Sequence, residues 1–138
     1  MPTYSGDIRL TTAGDGDTID LTEGVERVVA QSGAREGTVT VFASGSTAAV
    51  TTMEFERGGV EDLKAALDRL VPKEGDYEHN RLNADTNSHA HMRAAIVGPS
   101  ETIPLKDGTL RLGIWQQVVL LDFDDRPRER TVVVTVSS

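Results

Sequence analysis

Two periodicities divide this chain. Val25, Val28 and Val29 recur at helical spacing behind Thr22, with Glu23 following it and Gly33 beyond. That pattern predicts a short amphipathic helix capped by Thr22 and ended by Gly33. Val60, Leu63, Ala66, Leu67 and Leu70 form a second apolar stripe, opened by Glu61 and Asp62 at the positive end of the helix dipole and stopped by Pro72. Elsewhere β-branched runs dominate: Ile8 and Leu10, Val39-Thr40-Val41-Phe42, then 48–55, 102–105, 110–112, 114–123 and 131–136, separated by glycine, proline and aspartate. Asp107-Gly108, between Ile103-Pro104-Leu105 and Leu110-Arg111-Leu112, reads as a two-residue type I′ hairpin turn, which needs positive φ at both central positions. Strands before, between and after two to three helices, without regular alternation, predict an α+β fold with a mostly antiparallel sheet.

The length of 138 residues fits a single domain, residues 1–138, with a proper core. Fourteen basic against twenty-two acidic residues leave a net charge of −8, which excludes general binding to nucleic acid or anionic membranes. An anionic ligand then requires a local basic patch. The chain has no cysteine, so disulfides, thiolate catalysis and cysteine-ligated zinc are excluded. Met1-Pro2-Thr3-Tyr4 does not open like a signal peptide and no apolar run approaches a membrane span, so a cytoplasmic location is expected.

All three histidines fall between positions 79 and 91, in Tyr77-Glu78-His79-Asn80 and Asn87-Ser88-His89-Ala90-His91, with Asp85 between them. Histidine titrates near neutrality and is the commonest metal ligand, so His79, His89 and His91 are candidate ligands for a transition metal such as Zn²⁺, and Asp85 or Glu54 for Mg²⁺. Two geometries are open. In a strand His89 and His91 share a face, whereas in a helix they lie about 200° apart. Alanine, methionine and arginine favour a helix here, capped by Asn87 or Asp85 and ended by Gly98-Pro99. Only one of the two imidazoles then points into a given pocket, and the helix dipole keeps a first-turn imidazole neutral. The free N–H groups of such a helix start also suit an anion. Surface or hydrogen-bonded core histidines, with Asp85 and Asn87 as turn and cap residues, account for the same pattern without any site.

Arg126-Pro127-Arg128-Glu129-Arg130, if extended, places three guanidiniums on one side, suited to phosphate, or else merely offsets Asp122, Asp124 and Asp125 on a solvated edge. Ser44-Gly45-Ser46-Thr47 offers hydroxyls and backbone N–H groups to an oxyanion, or is only a small-residue turn. Glu54, between Met53 and Phe55, is costly if buried alone and is therefore a candidate acid, base or ligand. Trp115 reads as a core anchor and Gln116 as a hydrogen-bonding amide.

The ordered set Tyr77-Glu78-His79-Asn80, Asn87-Ser88-His89-Ala90-His91-Met92-Arg93-Ala94, Val97-Gly98-Pro99-Ser100, Ile103-Pro104-Leu105 and Leu112-Gly113-Ile114-Trp115-Gln116-Gln117 resembles the secondary thiamine-phosphate synthase (YjbQ-like) family. The likeness extends to Phe123-Asp124, Pro127-Arg128-Glu129-Arg130, Asp20-Leu21-Thr22 and Glu54, nearly the whole chain. It implies a compact α+β domain assembled as a homotrimer, with the histidine, acidic and amide positions near a subunit boundary. It also implies a transferase that joins a pyrimidine diphosphate to a thiazole phosphate with release of pyrophosphate. His79, His91, Asp85 and Glu54 carry over as catalytic positions, and Asn87, Gln116, Arg128, Arg130, Ser46 and Thr47 as contacts to a small phosphorylated substrate. One departure stands out: many members carry His-Thr-Thr-Ala where this chain reads Gly45-Ser46-Thr47-Ala48. A metal-assisted hydrolase and a non-catalytic phosphate- or carboxylate-binding trimer are the rival expectations.

Overall fold

The computed structural model describes residues 2–138 and runs β1 (Thr3–Thr12), β2 (Asp17–Asp20), α1 (Thr22–Ser32), β3 (Gly37–Ala43), β4 (Ala48–Met53), α2 (Arg57–Leu70), α3 (Glu78–Asn83), α4 (Ser88–Val97), β5 (Ser100–Lys106), β6 (Thr109–Leu110), β7 (Gln117–Asp122) and β8 (Arg128–Ser137). The strands form a five-stranded sheet ordered β1-β8-β3-β5-β6 and a three-stranded sheet ordered β2-β7-β4, paired antiparallel throughout. This is the expected α+β class with four helices instead of two to three. The extra helix, α3, is one and a half turns whose single apolar residue, Leu82, is exposed, so it carries no apolar stripe to announce it.

Strict alternation builds the core. Val132, Val134 and Val136 of β8 lie opposite Ala43, Val41 and Val39 of β3, and Ile103 of β5 lies opposite Val39. All seven are buried together against Val118 and Leu120 of β7 and Val25, Val28 and Val29 of α1. The smaller sheet is buried on both faces, because Ala49 and Leu121 point the other way into a second cluster with Leu67 of α2 and Ala90 and Ala94 of α4. β7 therefore reads as a continuous apolar run. No helix among the described residues is long and apolar enough to cross a membrane.

The hairpin at Asp107-Gly108 has φ of 52° and 73°, as a type I′ turn requires. Gly33 ends α1 at φ 72°. Four local expectations need correction. Thr22 lies inside α1, where Asp20 accepts from its N–H and its hydroxyl accepts from Val118 N–H. Helix α2 starts before Glu61, because the Glu56 side chain caps Gly58 and Gly59. The strand at 114–123 shortens to β7, since a turn closed by Gln116 N–H donating to Gly113 O exposes Ile114 and Trp115. Trp115, at 69 % exposure, is no core anchor.

Candidate functional site

One end of the smaller sheet gathers the chemistry. Asp122 closes β7, Thr47 precedes β4, and Thr12 at the end of β1 lies opposite Arg128 at the start of β8. Asp122 and Asp124 are both fully buried. Burial of unpaired carboxylates is prohibitive, so each recruits partners. Arg130 donates from Nε at 2.7 Å and Nη2 at 2.8 Å to the two oxygens of Asp122, which also accepts from the Thr12 hydroxyl. Asp124 accepts from Arg128 Nε at 2.8 Å and Thr47 Oγ1 at 3.0 Å, and Thr47 in turn accepts from Arg130 Nη2 at 2.6 Å. Burial pushes the Asp124 carboxyl up, but Thr47, Arg128 and the Asp125 N–H outweigh it and hold it at about 2. The arginine stripe thus does offset the neighbouring aspartates, on a buried floor and not on a solvated edge. Thr47 and Arg130 are part of this floor, and Arg130 Nη1 lies beside Gly45. Arg128 keeps 40 % of its side chain exposed and remains able to meet a ligand.

The floor reaches the histidines through Asn87, which precedes α4 and is itself buried. Its Nδ2 points to Asp124 Oδ1 at 3.5 Å, which turns Oδ1 toward His79 Nε2 at 3.1 Å. On the other edge of the ring, Asn83 Nδ2 stands 3.4 Å from His79 Nδ1. An amide oxygen accepts and an amide NH₂ donates, so both contacts require the tautomer with its proton on Nε2. Both nitrogens of His79 are then occupied. Its ring lies against that of His91, with centroids 4.7 Å apart and planes tilted by 58°. His91 is half-buried and faces a cavity of about 290 Å³ lined also by Gly45, Ser46 and Pro99.

Asp85 Oδ2 lies 3.8 Å from His79 Nε2, while Oδ1 accepts from Thr86 N–H at 2.8 Å and Arg126 Nη2 at 3.3 Å. The Thr86 N–H holds its carboxyl below the ordinary range against burial, with smaller help from Arg126 and His79. Asp85 thus has Oδ1 occupied and Oδ2 turned toward His79. Ser46 is exposed beside the His91 cavity.

Three expected members are elsewhere. His89 is 1 % exposed and lines a different cavity with Lys73 and Arg93, on the other side of α4, as helical spacing predicts. Its pKa is lowered, by burial first and then by Arg93 and Lys73, where the sequence alone points to the helix dipole. Glu54 is exposed just beyond β4, and Gln116 donates to Thr52 at 2.8 Å while accepting from Gly113 N–H at 2.9 Å. Both sit at the Met53 end of β4, which is roughly 20 Å along the strand from Thr47 at about 3.3 Å per residue.

A metal on His79, His89 and His91 is not supported. Among the described residues no three histidine, aspartate or glutamate side chains converge on one point. Gly45 supplies no ligand beside His91, and a methyl group there would stand 2.7 Å from Arg130 Nη1. Asp122 and Asp124 escaped the sequence reading as site residues, although the spacing of two aspartates inside Leu120-Leu121-Asp122-Phe123-Asp124 already required partners for them.

Comparison with known proteins follows the same lines. The sequence model of the family described as UPF0047 protein YjbQ-like matches residues 6–138. A UPF0047 protein of Archaeoglobus fulgidus is 40 % identical over 128 residues, covering 93 % of this chain and 97 % of that one. One from Methanothermobacter thermautotrophicus is 34 % identical over 137 residues, covering 99 % and 94 %. The crystal structure of a YbjQ-like protein of unknown function from Sulfolobus solfataricus superposes with a TM-score of 0.93 at 32 % identity, covering 98 % of this chain and 96 % of that one.

Proposed function

We propose, for a chain that belongs to the UPF0047 YjbQ-like family, a transferase acting on small phosphorylated molecules, of the thiamine-phosphate synthase type: a pyrimidine diphosphate joined to a thiazole phosphate, with pyrophosphate released. The observation that carries it is the division of labour between the two imidazoles. His79 is held by Asn87 and Asn83, whereas His91 faces a cavity next to Ser46 and is free to move a proton. The exposed part of Arg128, with Arg126 nearby on Asp85, supplies positive charge for a departing pyrophosphate.

Glu54 and Gln116 lie too far along β4 to join His91 within one chain. Assembly as a homotrimer would let a neighbouring copy supply them, which makes the site a boundary site. A hydrolase dependent on a transition metal is less well supported, since it needs three convergent ligands. Purified protein from a host lacking its own synthase is incubated with the two precursors. Formation of thiamine phosphate that is lost in His91→Ala supports the proposal, and no product from the wild type removes it.

A further inference from the structure

On the far side of α4 from His79 and His91 lies a second cavity of about 440 Å³, lined by Asp15, Lys64, Lys73, Glu74, His89 and Arg93 among others. That volume sits within the range of small-molecule sites, on the order of 300–1,000 Å³. Two of its wall residues are nearly inaccessible: His89 is 1 % exposed and Arg93, one turn later on the same helix face, is 4 % exposed. Arg93 is fully anchored, donating from Nε at 3.0 Å and Nη2 at 2.7 Å to Val71 O and pairing with Asp68 at 3.0 Å. His89 is not: its Nδ1 is the one buried side-chain polar atom among the described residues with no hydrogen-bond partner. Such an orphan is costly, and native structures rarely keep one without a reason.

The charges around this nitrogen are unevenly committed. Asp68 is neutralised by Arg93, and Asp15 is paired with Lys73 at 2.7 Å. Lys64, from α2, forms no ion pair among the described residues, and Glu74 stands exposed at the rim. At the ring itself Arg93 and Lys73 disfavour a proton on His89 beyond the effect of burial, and Asp125 and Asp15 oppose them by less. Three elements line the cavity with nitrogen-bearing side chains: Lys64 from α2, Lys73 from the segment after α2, whose ammonium also holds Asp15, and the His89 ring from α4. That arrangement suits a tetrahedral oxyanion, whereas a planar carboxylate is best met by a guanidinium fork, and the fork here is already engaged.

We infer that this cavity is a second binding site, for a phosphoryl group held by Lys64, Lys73 and the His89 ring, separate from the His91 cavity. It stands whether or not the transferase reading does. Glu74 opposes the ligand's charge at the rim, so its neutralisation strengthens binding.

The test titrates protein carrying isotope-labelled histidine with sodium phosphate at constant ionic strength and follows the His89 ring resonances by NMR. They move and saturate in the wild type and in His91→Ala. In Lys64→Ala, an exposed position that leaves the fold intact, the midpoint moves to about tenfold higher phosphate, as loss of one charge-assisted contact predicts. In Glu74→Gln it moves to lower phosphate. Repeating the titration with glycerol phosphate distinguishes sources: tighter binding than inorganic phosphate points to a phosphorylated metabolite, and weaker binding to the free ion. No saturable response at His89, or the same midpoint in Lys64→Ala as in the wild type, overturns the inference.

Discussion

Asn87 Oδ1 lies 3.1 Å from His79 Nε2, and the orientation of that amide is set from behind by the buried carboxylate of Asp124. A residue that looks like a helix cap in the sequence thus makes no side-chain capping bond and instead fixes an imidazole. Replacing Asn87 by Ala frees the His79 ring and leaves Asp124 with one donor fewer. Misplacement of a catalytic neighbour by such a loss typically costs about 10–100-fold in rate. The expected signature is a fall in kcat of that order together with a mixed tautomer pattern for His79 in ring-nitrogen NMR. An unchanged single tautomer would show that Asn87 does not set it.

The floor beneath the site predicts a large stability effect away from the histidines. Asp122→Ala strands Arg130, whose Nε and Nη2 both end on that carboxylate, in a buried position. Breaking such a pair costs about 3–5 kcal/mol. Urea unfolding reads it directly, and a loss below about 1 kcal/mol would place the pair outside the stabilising core.

Gly45 gives a sharper structural prediction. Its Cβ-less backbone allows Arg130 Nη1 to approach, since an added methyl group would sit 2.7 Å away, and Arg130 is held by Asp122 and Thr47 and cannot retreat freely. Gly45→Ala is expected to destabilise by about 1–3 kcal/mol, the usual cost of overpacking. Differential scanning calorimetry of this variant checks it, and a melting temperature equal to that of the wild type contradicts it.

Stability should also fall between neutral and mildly acidic pH through His89. Its folded pKa lies below the ordinary 6.5, so above that value both states are neutral, and below it the unfolded chain takes up a proton that the folded chain refuses. Unfolding free energy therefore declines as pH drops below about 6.5. Asp124 opens a second, lower window, from the ordinary 3.8 down to about 2. Denaturant titrations across pH 5–7 on wild type and His89→Gln test the first window; an equal slope in both would remove His89 as its source.

Most of the fold was legible because its signals are local. Alternating valines specify β3 and β8, the Asp107-Gly108 turn specifies its hairpin, α1 and α2 follow from periodicity, and α4 follows from its alanine, methionine and arginine content and terminal glycine. What escaped depends on three-dimensional partners. Trp115 is exposed because Gln116 closes a turn onto Gly113 and Thr52, and no pattern in the run from Ile114 to Phe123 announces that break. At the site, the separation of His89 from His91 follows from helical spacing, and the pairing of His79 with His91 does not, since it rests on a loop that passes through Ala84 at φ 50°. The arginine stripe was visible as charge. Its offsetting of Asp122 and Asp124 was one of two readings, and the burial of those carboxylates was hidden, because sequence shows which charges are near one another and not which are buried.

The central claim is that His91, and not His79, is the free imidazole of a phosphoryl-substrate transferase. The most direct measurement is the rate of thiamine phosphate formation by the wild type, His91→Ala and His79→Gln, in protein free of any host synthase. The account predicts activity in the wild type, its loss in His91→Ala by about 10²–10⁴-fold, and a smaller loss in His79→Gln, as expected for removal of a proton-transfer group against a positioning one. Full activity in His91→Ala, or none in the wild type, would contradict it.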